Sequence, residues 1–292
     1  MTRRGWVLFA AMSVLWGIPY LLIKVAVGEL SPPTLVFLRT SLGALVLLPY
    51  AASTGKLSAL RAHWRPLLAF TALELTVPWL LLADAERHLS SSVSGLLVAA
   101  VPLVAAVASR LSGEADRLDR GRVLGLLVGL SGVGVLLGVD LRGDLRSALE
   151  IGLVVLGYGT APLIANRRLS GVPGVGITAG ALTLTALFYA PFAAANLPTH
   201  VPSAKVIAAV VVLALASTAA AFLVFFALIA EVGPNRALVI TFVNPAVAVV
   251  LGISLLGERI TLGTALGFPL ILTGCVLATR RSRSRAVAVA EP

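Results

Sequence analysis

The chain has 292 residues, of which 58% are hydrophobic and only 12% are charged, with a formal net charge of +10 and a mean hydropathy of +0.98. A water-soluble domain carries about 25% charged residues, so this composition excludes a soluble globule and indicates a surface largely covered by lipid. The single cysteine, Cys275, excludes an internal disulfide framework. The basic residues lie in short segments between apolar runs, which indicates membrane topology rather than nucleic-acid binding.

Ten apolar runs follow one another along the chain, each close to the roughly 20 residues that a helix needs to cross a bilayer core. The first run lacks a convincing cleavage site, so it is predicted to remain as the first helix. The connecting segments are too short to hold a soluble domain. The predicted spans are residues 6–27, 33–52, 66–85, 91–110, 121–139, 148–166, 174–195, 204–229, 234–256 and 261–279.

The basic residues predict how these helices are oriented. With a cytoplasmic N-terminus and alternating helices, 16 of the 23 Lys and Arg residues fall in cytoplasmic segments, 6 fall outside, and Arg39 lies within a helix. Cytoplasmic segments of membrane proteins are enriched in Lys and Arg. The sequence therefore predicts a multi-pass protein of the inner (plasma) membrane with both termini cytoplasmic. The basic tail at 280–292 is predicted to anchor this side at the lipid headgroups.

Sequence landmarks recur at a nearly constant spacing. Gly125 and Gly132 in the fifth predicted helix lie 142 positions before Gly267 and Gly274 in the tenth. Because each half holds five helices, an odd number, the second half must start on the opposite side of the membrane. The sequence thus predicts two inverted repeats, at 1–139 and 148–279, an arrangement typical of transporters. The other matching landmarks are Trp16-Gly17 with Tyr158-Gly159, Pro102 with Pro245, and Leu-Ser-Gly-Glu at 111–114 with Leu-Leu-Gly-Glu at 255–258.

The order of these motifs resembles the EamA type of the drug/metabolite transporter superfamily over nearly the whole chain. The resemblance rests on Trp16-Gly17, Arg39, the central Pro102 and Pro245, and the two Gly-Glu helix ends. It implies ten helices around a central cavity between the halves and transport of small metabolites, often amino-acid export. On general similarity the chain also resembles the YddG-type amino acid exporters. The second half departs from the pattern, because Tyr158 replaces the Trp of the first helix and the seventh helix has no counterpart of Arg39.

Glu74 is the most unusual residue of the apolar runs, since it lies about 12 Å into the third predicted helix. An acidic residue at a helix centre costs about 2.5–3.5 kcal/mol on insertion, and each apolar neighbour offsets about 0.3–0.6 kcal/mol of this. The helix can therefore insert, with Glu74 facing a cavity or a partner rather than lipid. It is predicted either to titrate or hold a substrate ammonium, or to stay protonated and hydrogen-bonded to a neighbouring helix.

Three other basic residues lie within or near the ends of apolar runs. Arg39 lies about six residues into the second predicted helix, where its long side chain can snorkel toward the membrane surface. We favour this anchoring role over pairing with a carboxylate, either that of Glu29 or that of a substrate. Lys24 and Arg110 are predicted to be anchors as well.

Prolines are expected to interrupt the third, fourth, sixth and ninth helices and to free backbone carbonyls toward a substrate. Packing kinks are the alternative. Aromatic side chains, and two asparagines near the breaks, complete a predicted apolar cavity with a few polar anchors. The candidate substrate-binding residues are Trp16, Tyr20, Glu74, Pro78, Trp79, Pro102, Tyr158, Pro162, Asn166, Phe222, Phe226, Asn244 and Pro245.

Two further patterns concern packing rather than transport. Glycines at every fourth position of the fifth helix predict a close approach of neighbouring helices, with dimerisation as the alternative; they are Gly121, Gly125 and Gly129. The acidic residues at the two Gly-Glu helix ends, Glu114 and Glu258, are predicted to form solvated pairs with Arg117 and Arg259.

The favoured function is a transporter that exports amino acids, aromatic or other neutral ones, and related small metabolites by alternating access. It is predicted to act as a monomer or homodimer without a cofactor, a metal or a nucleic-acid partner, and coupling to protons through Glu74 stays open. A drug or other-metabolite efflux permease is the alternative. An intramembrane enzyme is disfavoured, since the three histidines lie in predicted loops and neither HExxH nor a P-loop is present.

Overall fold

The computed structural model describes residues 2–113, 120–139, 144–233, 237 and 239–279, and these residues form helices and short connections without strands. Among these described residues, nine helices are long and apolar enough to cross a membrane and one is shorter, which confirms the predicted all-α membrane fold. In chain order they are α1 (Arg3–Ala26), α2 (Pro32–Ser53), α3 (Ser58–His88), α4 (Ser91–Leu111), α5 (Arg120–Val139), α6 (Leu145–Arg168), α7 (Gly174–Ala195), α8 (Ala204–Val232), α9 (Ile240–Leu256) and α10 (Leu262–Thr279).

The helix bounds differ from the predicted spans mainly at two places. α3 begins at a 3₁₀ turn, Ser58–His63, and continues to His88, so that the charged residues at its end belong to the helix. α9 is described from Ile240 onward. The start of its predicted span, the tail at 280–292, and Glu114 with Arg117 lie outside the described residues.

Only some of the prolines interrupt their helices. α4 is broken at residues 99–100, before Pro102, as predicted, and α3 contains a π-helical turn, Ala72–Thr76, before Pro78. The interruptions predicted at Pro162 and Pro245 are wrong, since α6 and α9 run through them without a break. A proline removes a single backbone hydrogen bond, and membrane helices tolerate that loss where the rest of the ladder holds. A break that the sequence reading missed divides α1 between Gly17 and Pro19.

Side-chain contacts define the two faces of the helix bundle. On the terminal face, where α1 begins and α8 ends, the Thr2 hydroxyl donates to the Glu231 carboxylate at 2.6 Å. On the opposite, distal face, where α1 ends and α8 begins, the Ser203 backbone N–H and hydroxyl donate to the Glu29 carboxylate at 2.7 and 2.6 Å. α1 and α8 are therefore antiparallel.

The second half of the chain runs opposite to the first. Arg146, at the start of α6, bonds to Asp84 at the end of α3, and this places the start of α6 on the distal face. α1 starts on the terminal face instead. Arg167, near the end of α6, donates to the Ser112 carbonyl after α4 on the terminal face. The two helices that open the halves thus point in opposite directions, as an inverted arrangement requires.

Glycine contacts between α5 and α10 are related across the two halves. A Cβ on Gly125 would lie 2.8 Å from the Gly274 carbonyl oxygen, and a Cβ on Gly132 would lie 2.8 Å from that of Gly267. Adding 142 to Gly125 gives Gly267 and subtracting 142 from Gly274 gives Gly132, so the repeat relates one pair to the other with the partners exchanged. The predicted helix packing is thus seen at Gly125 and Gly129, which both lie against Gly274 of α10, whereas Gly121 is exposed.

The same relation holds for the first helix of each half. A Cβ on Gly17 of α1 would lie 2.5 Å from the Val247 side chain of α9, and a Cβ on Gly159 of α6 would lie 2.6 Å from Val104 of α4. Equivalent residues therefore make equivalent contacts across the bundle. The predicted bounds of the two repeats, 1–139 and 148–279, remain predictions, and these contacts support them.

Glu258 does not form the predicted solvated pair with Arg259. Its carboxylate turns toward α4 and accepts hydrogen bonds from the backbone N–H and hydroxyl groups of Ser91 and Ser92. The first N–H groups of a helix have no partner within the helix, and a carboxylate there is favoured by the helix dipole as well. A residue of the second half therefore caps a helix of the first half on the distal face.

Candidate functional site: a buried polar cluster between the halves

Arg39 lies at the centre of the bundle, only 7% exposed. Its Nε donates to the Thr218 hydroxyl of α8 at 2.9 Å, and its guanidinium carbon lies 3.5 Å from the centroid of the Trp79 ring. A guanidinium over an indole face is a favourable cation–π arrangement. The predicted anchoring role for Arg39 is wrong, because the side chain points into the interhelical contact instead of toward the surface. Glu29, which the sequence suggested as a partner of Arg39, instead accepts hydrogen bonds from Ser203.

Polar and aromatic side chains from four other elements surround Arg39. Tyr20 of α1 and Tyr158 of α6 lie close enough to interact electrostatically with Arg39 and with each other. Tyr158 also interacts with the Trp79 side chain. We call this group the central cluster: Tyr20, Arg39, Glu74, Trp79, Glu86, Tyr158 and Thr218. Five of its seven side chains are buried, and those of Glu74 and Tyr158 are half-buried.

Glu74 belongs to the π-helical turn of α3 and contributes to the terminal-face side of the central cluster. One of its carboxylate oxygens, Oε2, is buried without a hydrogen-bond partner among the described residues, and the carboxylate acts electrostatically on Tyr158. α6 approaches this turn closely, because Gly157 contacts the Leu73 carbonyl. A π turn widens the helix and leaves backbone groups less regularly paired, which is why such turns often occur at functional sites.

Glu86 is a buried charged residue that the sequence reading missed. It is 0% exposed, and neither of its carboxylate oxygens has a hydrogen-bond partner among the described residues. The Lys24 ammonium donates to the main-chain carbonyls of Glu86 and Leu89 at 2.6 and 2.7 Å. Lys24 thus caps the end of α3 instead of reaching for lipid. The signal that identifies Glu86 is its position seven residues after Trp79, two turns along the same helix face.

A second group of aromatic side chains joins α1 to α8. The Trp16 ring lies 5.8 Å from Phe222 in an edge-to-face arrangement and 4.7 Å from Phe225, and Phe222 lies 6.3 Å from Phe226. All four side chains are half-buried. Trp16 is the repeat equivalent of Tyr158, so each half places an aromatic residue of its first helix against its partner helix in the other half.

The remaining predicted site residues are more scattered. Pro78 and Pro245 are buried, Pro102 is half-buried, and Pro162 and Asn166 are exposed. The half-buried Asn244 side chain links α9 to α1. With its amide nitrogen oriented toward the backbone, it donates to the Ile240 and Ser13 carbonyls at 3.0 and 3.3 Å.

An apolar groove of about 430 Å³ lies away from the central cluster, near the start of α3, and its leucine lining suits lipid chains.

Apolar helices in two inverted halves, with charged and aromatic side chains buried between them, define a multi-pass membrane transporter. The particular group follows from sequence comparison. The chain belongs to the EamA-like transporter family, whose profile matches residues 3–138 and again residues 147–280. The double match falls on the two halves that the contacts relate.

Curated relatives cover almost the whole chain. The uncharacterized inner membrane transporter YedA of Escherichia coli (strain K12) is 29% identical over 275 residues, which are 92% of this chain and 88% of that protein. An uncharacterized transporter of Archaeoglobus fulgidus is 24% identical over 284 residues, 95% of this chain and 99% of the relative. A solved crystal structure, named only as that of a protein, superposes with a TM-score of 0.68 at 23% identity, covering 94% of this chain and 96% of its own. The protein is therefore a multi-pass inner-membrane transporter of small molecules.

Proposed function

We propose that this transporter exports neutral amino acids, including aromatic ones, and related small metabolites from the cytoplasm by alternating access. We infer that the terminal face is cytoplasmic, since the topology predicted from the sequence assigns 16 of the 23 basic residues to that side. The transported solute would occupy the central cluster when the bundle opens.

The observation that carries this proposal is the state of Arg39. Within the described part of the chain, its guanidinium is bonded to a hydroxyl and an aromatic ring, and no carboxylate forms a salt bridge with it. A buried guanidinium binds a carboxylate with paired, charge-assisted hydrogen bonds. The α-carboxylate of an amino acid supplies the group that Arg39 lacks.

The other groups of the central cluster fit the remainder of an amino acid. Glu74 and Arg39 both act electrostatically on Tyr158, and Glu74 offers a carboxylate oxygen that has no partner among the described residues to an ammonium group. The ammonium and carboxylate of an amino acid sit on one carbon, so their two receptors must border one place. The Trp79 and Tyr158 rings offer apolar surfaces that accept aromatic and aliphatic side chains alike.

The test is exchange of labelled phenylalanine for unlabelled phenylalanine across liposomes that contain the purified protein. Phenethylamine lacks the carboxylate and 3-phenylpropanoate lacks the ammonium, so both are expected to compete at least about tenfold less well than phenylalanine, a difference of about 1.4 kcal/mol. Strong competition by phenethylamine alone would favour the efflux of apolar amines. No exchange of any amino acid by folded protein would refute the proposal.

Substitution of Arg39 tests the same assignment from the side of the protein. Arg39→Lys keeps the charge but loses the planar fork, so exchange is expected to fall by about tenfold or more. The matched control is Arg87→Lys, at an exposed residue of α3 that is ion-paired with Asp84. The control should exchange phenylalanine at the wild-type rate, and equal losses in the two variants would contradict a role for Arg39 in carboxylate binding.

A further inference from the structure

The apolar groove of about 430 Å³ lies between the end of α2, the start of α3 and the first half of α7, at the terminal end of the bundle. Leucine side chains make up most of its lining. The Thr183 hydroxyl, which also lines the groove, already donates to the Ala179 carbonyl within α7 at 2.8 Å. The groove therefore suits a hydrocarbon chain and not a polar solute. The leucines are Leu48, Leu57, Leu60, Leu67, Leu68 and Leu184.

Gly180 keeps the groove open on the side of α7. A Cβ at this position would lie 3.1 Å from the Leu60 side chain and 3.2 Å from that of Leu67, which is tighter than ordinary van der Waals contact. A larger residue would therefore displace these leucines or narrow the groove. Leu68, another lining residue, is 45% exposed. The groove is thus open to the surroundings of the bundle, which in a membrane are lipid chains.

Arg61 and Trp64 add a cation and an indole ring to the lining of the groove. Arg61 belongs to the 3₁₀ turn that opens α3, and residues three apart in such a turn fall on the same side. Both side chains are exposed, and no carboxylate pairs with Arg61 in the described part of the chain. A tryptophan in this position is typical of the headgroup level of a membrane. The guanidinium is therefore available to bind a phosphate through paired hydrogen bonds.

The charge around the groove is positive. No Asp or Glu occurs between Glu29 and Glu74 or between Glu150 and Glu231, and these two stretches supply every residue of the groove. Such a surface attracts an anion and repels amines and basic peptides. Basic pockets between membrane helices are known to bind the headgroups of anionic lipids. Toward the terminal face the two stretches carry Lys56, Arg61, Arg65, Arg167 and Arg168.

We propose that this groove is a binding site for one anionic phospholipid, with an acyl chain against the leucines and the headgroup phosphate on the Arg61 guanidinium. A soluble phosphate would leave the leucines uncovered, and a zwitterionic lipid would place a second cation near Arg61. Leu67 and Leu68 lie about 9 Å further along α3 than Arg61. The cation and the apolar lining thus follow one another in the order in which a lipid of the leaflet on the terminal side presents its phosphate and its chain.

The site is independent of the solute that the protein carries. Two of its walls, α2 and α3, belong to the first half of the chain, and the third, α7, belongs to the second. A bound lipid therefore contacts both halves at once. Ligands that bind the folded state alone raise its stability, so the anionic lipid is expected to stabilise the protein as well as to bind it.

The test measures lipid binding to the purified protein in a neutral detergent by native mass spectrometry. Phosphatidylglycerol and phosphatidylcholine with identical acyl chains are compared. The wild type is expected to bind one phosphatidylglycerol about fivefold more tightly than phosphatidylcholine, the gain typical of one basic residue at an anionic surface. Glycerol 3-phosphate, which has the phosphate but no chains, should not displace the lipid at equal concentration.

Three variants test the two parts of the site. Arg61→Gln removes the charge at an exposed position, so the protein should fold and bind the two lipids equally. The matched control is Arg65→Gln, because Arg65 is exposed on the same helix but lies over the Trp64 ring at 5.2 Å and does not line the groove. The control should keep the fivefold preference. Thr183→Trp fills the groove and should weaken the binding of both lipids by about tenfold.

Several results would overturn the proposal. Equal affinity of the wild type for the two lipids would remove the anionic preference, and a preference that survives Arg61→Gln would remove the role of Arg61. Equal losses in the two arginine variants would indicate a general attraction to the basic surface. Displacement by glycerol 3-phosphate would indicate a site for soluble phosphates, and undiminished lipid binding by folded Thr183→Trp would place the acyl chain outside the groove. If Thr183→Trp does not fold, the comparison of the two arginine variants decides.

Discussion

At the scale of single residues, Glu258 fastens a helix of one half to a turn of the other. Its two carboxylate oxygens accept from Ser91 at 2.7 and 2.9 Å and from the Ser92 N–H at 3.0 Å, with a further bond from the Ser92 hydroxyl. The preceding Gly257 has φ of 66°, a left-handed conformation that other residues rarely adopt. This turn ends α9 and points the carboxylate back at the start of α4.

Replacing this carboxylate is expected to destabilise the protein. Glu258→Gln puts an NH₂ group against the hydrogen-bond donors of one serine, so the free energy of unfolding should fall by about 2–3 kcal/mol, the size of a lost charge-assisted hydrogen bond. The thermal unfolding midpoint in detergent measures this. Arg259→Gln is the control, with an expected change within about 0.5 kcal/mol. If both variants lost the same stability, the Glu258–Arg259 pair suggested by the sequence would be the better account.

What the sequence could predict at this scale depends on where a polar residue lies in its helix. Glu74 stands out because apolar residues surround it, and the structure does place it inside the bundle. Glu86 lies among Asp84, Arg87 and His88, a charged run that looks like the end of a helix at the membrane surface. Glu86 turns inward because it lies on the same face of α3 as Trp79. Which face of that helix packs inward depends on contacts between distant parts of the chain, and local composition does not show them.

At the scale of helices, glycine sets the distance between α5 and α10. A Cβ on Gly125 would collide with the backbone nitrogen of Ala278 and lie 2.8 Å from the Gly274 carbonyl, whereas a Cβ on Gly134 of the same helix would meet nothing within 4 Å. Gly125→Ala is therefore expected to destabilise the protein by about 1–3 kcal/mol through overpacking.

Gly134→Ala supplies the matched control on the same helix. It should be neutral or stabilising by up to about 1 kcal/mol, because alanine is the better helix former. The two thermal unfolding midpoints in detergent, compared with that of the wild type, test the pair. If the two variants had the same unfolding midpoint, or if Gly134→Ala were the destabilised one, the close α5–α10 packing would be absent.

The two π-helical turns show what the sequence could not predict about helices. Ala72–Thr76 in α3 and Leu215–Ala220 in α8 start 143 positions apart, and they carry Glu74 and the Arg39 partner Thr218. Pro78 follows the first turn, but no proline accompanies the second. The ten apolar runs were predictable because the bilayer fixes their length. A local change of helix pitch depends on how neighbouring helices pack, so it leaves no regular sequence signal.

At the scale of the whole molecule, the contacts on the distal face hold the central cluster closed. Glu29 binds Ser203 at the start of α8, and Thr34 of α2 donates to the Asn196 carbonyl after α7 at 3.0 Å. Both contacts join the first half of the chain to the second. In an alternating-access cycle, such contacts must separate whenever the solute leaves through this face.

A reversible cross-link across the distal face tests that requirement. Hydrogen bonds from Ser203 lower the pKa of Glu29, so its carboxylate is ionised at neutral pH and the Glu29–Ser203 contact persists there. Only acid conditions that protonate Glu29 would weaken this contact. With Glu29→Cys and Ser203→Cys in a Cys275→Ala background, a short thiol-specific cross-linker is expected to stop phenylalanine exchange, and a reductant should restore it. Glu29→Cys alone, treated with the same reagent, should retain exchange. The two ends of the cross-link belong to different halves of the chain. If the linked protein still exchanged phenylalanine at the wild-type rate, the distal face would not open between α1 and α8. The solute would then have to cross the bundle elsewhere.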